Sequence, residues 1–149
     1  MTMTQAKHII LAEDDEDDAQ FFEDALNAVP HSPNLIRARD GVELTGLLQA
    51  LENPPDLIFM DLNMPRKNGT QCLREIRNHQ DFKDMPVVVL STSNSEDVIN
   101  AVYQSGANLY VEKPSDMQSW KKAIAKVLSL DWNIHRPHAV KDKFNFKDF

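Results

Sequence analysis

The chain has 149 residues, 42% of them apolar, a formal charge of −7 and a single cysteine. That length suits one domain with a sizeable core, and the apolar fraction argues against a disordered chain. The acidic balance argues against a nucleic-acid surface, Cys72 alone rules out an internal disulfide, and no apolar run is long enough for a membrane span.

His8 to Ala12 is a short apolar run of strand length that ends on the acidic stretch Glu13-Asp14-Asp15-Glu16-Asp17-Asp18. The period then changes: Phe22, Ala25, Leu26 and Val29 recur at helical spacing until Pro30 and Pro33. Asn34 to Arg39 predicts a weaker strand, at an edge or half exposed, because only Leu35, Ile36 and Ala38 are apolar. Gly41 opens a second helix carrying Val42, Leu44, Leu47, Leu48 and Leu51, which Asn53-Pro54-Pro55 ends. Leu57 to Met60 reads as a strand buried on both faces, and it stops abruptly on Asp61. The Pro-, Asn- and Gly-rich loop to Gly69 then presents that carboxylate at the mouth of the sheet.

A third helix uses Cys72, Leu73 and Ile76, where Cys72 reads as a small buried side chain and not a nucleophile. Pro86 to Leu90 is the clearest buried strand, crowded with valines, and it ends in Ser91-Thr92-Ser93-Asn94-Ser95, with Ser95 as the expected cap of the next helix. That helix carries Val98, Ile99, Val102 and Tyr103 and closes at Gly106. Asn108 to Val111 predicts a fifth strand, followed by Glu112-Lys113-Pro114 and a last helix with Met117, Trp120, Ala123, Ile124, Val127 and Leu128.

Strand and helix alternate throughout, which predicts an α/β fold: a doubly wound five-stranded parallel sheet with helices on both faces. Right-handed crossovers bring every strand-to-helix loop to one edge, so Glu13, Asp14, Asp61, Ser91 and Lys113 converge there. Residues 7–129 form this domain. Residues 130–149 are expected to be a tail with no output domain, holding Trp132, His135, His138, Phe144, Phe146 and Phe149 among lysines without a strong period. It has three open fates: packing on the domain, covering a partner, or mobility. His135 and His138 are poor evidence for a metal without further ligands.

Three carboxylates brought together repel one another unless a cation neutralises them. Oxygen ligands suit a hard ion and favour Mg²⁺ over Zn²⁺. Lys113 and Ser91 would complete a phosphoryl pocket, and Asp61 could act as a nucleophile that forms an acyl phosphate. Plainer explanations stand beside these. Asp15 to Asp18 suit the first turn of a helix, where carboxylates complement the dipole, Ser91 could cap a turn, Lys113 could be a solvated charge and Tyr110 could simply fill space.

With these residues in place, the chain resembles a response-regulator receiver domain of two-component signalling. The likeness is to stand-alone regulators of the chemotaxis type and to those that partner bacterial phytochrome-type histidine kinases. It is carried by Glu13-Asp14, Asp61 in Asp-Leu-Asn-Met-Pro, Gly69, Ser91, Tyr110 and Lys113-Pro114, and it covers residues 7–129. The resemblance implies a flavodoxin-like topology and a phosphoryl group taken onto Asp61 from a sensor histidine kinase or histidine phosphotransfer protein. Asp14 and Asp61 would bind Mg²⁺ directly, joined by the Asn63 carbonyl, with Glu13 acting through water. It further implies Ser91 as a switch hydroxyl, Tyr110 as a ring that changes rotamer, and a cis bond before Pro114.

The output would be altered binding of a downstream protein, or a homodimer, through the face of the fourth helix, fifth strand and fifth helix. Thr92 and Met64 are the positions expected to modulate the site, and Thr92 adds bulk where many relatives carry Ala. Two other functions compete. A Mg²⁺-dependent phosphohydrolase is disfavoured because Asn63 stands where a second carboxylate would serve turnover, and an interaction domain independent of phosphorylation would leave the pocket residues idle. No glycine fingerprint of a nucleotide site follows any strand. Without a leader pattern a cytoplasmic location is expected, and Asn68-Gly69-Thr70 is a chance match to a glycosylation sequon.

Overall fold

Runs of β-branched and long apolar side chains, each ending on a polar residue or turn, form the five strands of the computed structural model, which describes residues 7–132 and 144–148. In chain order the elements are β1 (His8–Ala12), α1 (Glu16–Asn27), β2 (Asn34–Ala38), α2 (Gly41–Ala50), β3 (Leu57–Asp61), α3 (Gly69–Asn78), β4 (Val87–Ser91), α4 (Glu96–Gln104), β5 (Leu109–Glu112) and α5 (Met117–Ser129). A short 3-10 turn, Phe146–Asp148, follows. All four strand pairings are parallel, in the order β2-β1-β3-β4-β5. This is the flavodoxin-like doubly wound order, whose switch point lies between β1 and β3.

Alternation along each strand divides the core into two layers. Ile10, Ile58, Met60, Val87 and Val89 point to the layer covered by α2, α3 and α4, with Leu44, Leu73 and Val102. Ile9, Leu11, Leu57, Phe59, Val88 and Leu90 point to the layer covered by α1 and α5. There Phe22 meets Phe59 edge-to-face at 4.8 Å and Trp120 at 6.4 Å. β3 and β4 are buried along their whole length, as a central parallel strand requires, whereas β2 alternates between exposed and half-buried at its edge.

Side-chain caps fix where the helices begin. Asp15 accepts the Asp18 N–H at the start of α1, Asn68 and Gln71 form a reciprocal capping box on α3, and Ser95 caps α4 as expected. Gly69 is where α3 approaches the Asp61 loop: a Cβ there would lie 2.9 Å from the Asp61 carbonyl oxygen and from Leu62 Cα. No larger residue fits without moving backbone.

β5 begins one residue later than the sequence suggests. Asn108 is fully buried, but its Oδ1 accepts the Val87 N–H at 2.8 Å and a guanidinium N–H of Arg77, so it acts as a polar bridge at the strand's entrance. Part of the tail packs on the domain. Tyr110 N–H donates to Phe144 O at 2.9 Å, and Asn145 bridges Tyr110 in parallel register. Phe144 is buried against Tyr103, with ring centroids 5.1 Å apart, while Phe146 packs on the opposite layer. The two rings thus straddle the outer edge of β5. His135 and His138 lie outside the described residues.

Candidate functional site

Four neighbouring strands, β1, β3, β4 and β5, end at one edge and deliver Glu13, Asp61, Ser91 and Lys113. Each is placed by its backbone. Glu13 N–H donates to Ala38 O, Leu62 N–H to Leu90 O, and Lys113 N–H to Ser91 O at 2.8 Å. Arg37 grips the Glu13 carbonyl with two N–H groups, at 2.9 and 3.1 Å.

The Lys113 ammonium is buried among three carboxylates, 2.8 Å from Glu13 Oε1, 2.8 Å from Asp18 Oδ2 and 3.4 Å from Asp61 Oδ1. Burial works to lower its pKa, and the hydrogen bonds to Asp18 and Glu13 more than offset that, so the lysine stays charged beyond its ordinary range. Glu13 is 1% exposed, and burial pushes its carboxyl up to about 7 against the opposing pull of Lys113. Burial also raises Asp61, although Lys113, a hydrogen bond with Glu13 and the Asn63 N–H favour its ionised form. One ammonium therefore does not satisfy the negative charge gathered here.

The exposed Asp14 adds a third oxygen donor. Carboxylate oxygens of Glu13, Asp14 and Asp61 all lie within 4.8 Å of one another. An all-oxygen set, with two members held above their ordinary carboxylate range, fits a hard divalent cation, and no thiol or imidazole belongs to the cluster. Asn63 enters the geometry through its N–H, which bonds the Asp61 carboxylate.

Ser91 is buried, and its Oγ accepts the Ser93 N–H at 3.2 Å. The Tyr110 ring is also buried, with its hydroxyl donating to Ser93 O at 2.6 Å, so ring and serine meet on one residue. Thr92 is exposed beside Ser91, and Glu112 is exposed on β5. Met64 is buried in the core layer with Met60 and Cys72.

Two features depart from the sequence reading. No cis peptide occurs among the described residues, so the bond before Pro114 is trans; the lysine is positioned instead by its backbone bond to Ser91 and its ion pairs. Asp18 does more than complement a helix dipole, because it contacts Lys113 as closely as Glu13 does. Its place in the first turn of α1, three residues past the cap Asp15, gave no sign of that contact.

Comparison with known proteins agrees with this geometry. The family model described as the response regulator receiver domain matches residues 9–125. The chain is similar to response regulator Rcp1 of Synechocystis sp., 36% identical over 128 residues, which is 83% of this chain and 87% of that one. It superposes on the Mn²⁺-bound form of Rcp1 with a TM-score of 0.74 at 34% identity, covering 83% of this chain and 93% of that one. The phosphorylated cyanobacterial phytochrome response regulator RcpA gives a TM-score of 0.75 at 34% identity, covering 82% and 91%. The acidic edge, the parallel sheet that builds it and these matches together lead to one conclusion: the chain belongs to the response-regulator receiver domain family.

Proposed function

We propose that Asp61 accepts a phosphoryl group from a phosphohistidine on a sensor histidine kinase or a histidine phosphotransfer protein, and that the chain signals through altered protein binding. The observation that carries the proposal is Lys113, a buried cation lodged among Glu13, Asp18 and Asp61 at the mouth of the sheet. In the reaction an Asp61 oxygen attacks phosphorus, an O–P bond forms as the N–P bond of phosphohistidine breaks, and the electron pair leaves with the imidazole. Lys113 and the Ser91 hydroxyl then meet the transferred oxygens, the first by charge and the second by one hydrogen bond.

Mg²⁺ is the proposed cation, held by Asp14, Asp61 and the Asn63 carbonyl with Glu13 through water. When bound it would neutralise the repulsion between a carboxylate nucleophile and an anionic donor.

The readout follows the contacts from Ser91 through Ser93 to Tyr110 and so to the face of α4, β5 and α5. A charge and hydrogen-bond change at Ser91 favours one of two packings of that path. A downstream protein or a second copy using this face would also meet Asn145, which bridges the β5 edge beside the buried Phe144. Residues 7–129 act as the receiver, 130–149 as its tail, and Thr92 and Met64 as modulating positions. A phytochrome-type kinase is the narrower reading of the donor, and a cytoplasmic location follows from a kinase partner.

Intact mass after incubation with acetyl phosphate tests the proposal. A single phosphoryl adduct that needs both Mg²⁺ and Asp61 supports it. An adduct that survives in Asp61→Asn, or release of many equivalents of phosphate per chain, contradicts it.

A further inference from the structure

We infer that Asp18 is a positioning residue for phosphoryl transfer, which holds the Lys113 ammonium in a resting place on the α1 side of the pocket. The inference rests on the reading of Asp61 as phosphoacceptor.

An ammonium has three N–H donors and takes its strongest bonds to carboxylates at about 2.7–2.9 Å. Lys113 makes two contacts of that length, to Glu13 and Asp18, and stands 3.4 Å from Asp61. At rest the lysine's two shortest contacts go to groups other than the nucleophile. Glu13 belongs to the carboxylate cluster with Asp14 and Asp61, whereas Asp18 lies outside it. The Asp18 backbone is fixed because its N–H donates to Asp15 Oδ1 at 2.9 Å. Its carboxylate is thus held towards Lys113 by the first turn of α1.

The environments of the two partners set how easily each lets go. Glu13 is buried, so losing its cation would strand a charge away from water. The side chain of Asp18 is 32% exposed, and water can replace the lysine there. Oxygens arriving on Asp61 therefore compete with a weak, releasable restraint. Neutralising Asp18 removes the restraint and leaves Lys113 freer to follow the transferred group.

The test uses the full chain with acetyl phosphate and Mg²⁺, comparing wild type, Asp18→Asn, Asp18→Glu and Asp17→Asn across donor concentrations. Asp17 is an exposed neighbour of equal charge that is not among the three carboxylates on Lys113. Asp18→Asn is expected to raise the limiting rate of adduct formation roughly two- to five-fold, the range set by a partly exposed ion pair. Asp18→Glu should return it towards wild type. Loss of general repulsion acts on the half-saturating donor concentration, so Asp17→Asn should change that alone.

In donor-free protein the Lys113 Nζ nuclear magnetic resonance signal should move in Asp18→Asn and stay in place in Asp17→Asn. An unchanged or lower limiting rate in Asp18→Asn, or an unmoved Lys113 signal, overturns the inference while leaving Asp61 as acceptor. A wild type that forms no adduct overturns the reading beneath it, and the inference with it.

Discussion

At the edge where the strands begin, Arg77 of α3 donates to Gly106 O at 2.8 Å, Lys83 O at 3.2 Å, Met85 O at 2.8 Å and Asn108 Oδ1 at 2.8 Å. At the edge where they end, Lys113 is shared by Glu13, Asp18 and Asp61. Both cations are drawn away from water, yet their hydrogen-bonding partners differ in kind. Arg77 is hydrogen-bonded by neutral dipoles that have no other state, and burial, opposed by the charge of Asp84, lowers its pKa only to about 10, so it stays charged at neutral pH. Gly106, at φ +100°, lies against it so closely that a Cβ would come within 2.9 Å of the Arg77 side chain. Lys113 is met by ionisable groups that outnumber it, and any added proton, cation or phosphoryl group redistributes them. A structural charge is held by fixed dipoles; a working one is left contested.

That contrast predicts a graded series of effects. Arg77→Met should be the most damaging to stability, because it strands the carbonyls of Gly106 and Met85 and leaves Asn108 Oδ1 with only the Val87 N–H. A loss of about 3 kcal/mol is expected, read from the urea midpoint and nearly constant with pH. Lys113→Met should cost about 2 kcal/mol at pH 7 and progressively less on acidification, since protonation relieves the stranded carboxylates as it cannot relieve carbonyls. Equal pH profiles for the two variants would erase the distinction between the edges.

The smallest effect is the most diagnostic. Glu13 has a folded pKa of about 7 against an ordinary 4.5, so its share of stability is fully present below pH 4.5 and is lost as pH rises through 7. Wild type should therefore lose about 1 kcal/mol relative to Glu13→Gln across that window, after allowance for water reaching the site. Excess Mg²⁺ should flatten the difference, because a cation replaces the proton as the neutralising group. Urea melts of both proteins at a series of pH values, with and without Mg²⁺, check the sign.

Much of the contested edge was legible in the sequence. Apolar runs that stop on Asp61 and Ser91 mark strand ends regardless of what they pack against, and parallel crossovers then force those ends together. Asp18 was not legible in that way. A carboxylate in the first turn of a helix has a sufficient local reason to be there, and its partner Lys113 lies 95 residues away. Nor does any local pattern announce the role of Arg77, whose acceptors come from two separate connections, the one before β4 and the one before β5. Asn108 has the same character: its side chain serves Val87 and Arg77, which moves the start of β5 by one residue. Phe144 and Phe146 alternate across the β5 edge, but two residues are too few to establish a period.

On the proposed mechanism Asp61, and no other carboxylate of the acidic edge, takes the phosphoryl group. Borohydride reduces an acyl phosphate to an alcohol and so marks the acceptor for peptide mapping. After reaction with a phosphodonor and Mg²⁺, homoserine is expected at position 61 in wild type and at no position in Asp61→Asn. Homoserine at 14 or 18, 2-amino-5-hydroxypentanoate from the glutamate at 13, or neither alcohol anywhere in protein that carries the phosphoryl mass, would contradict it.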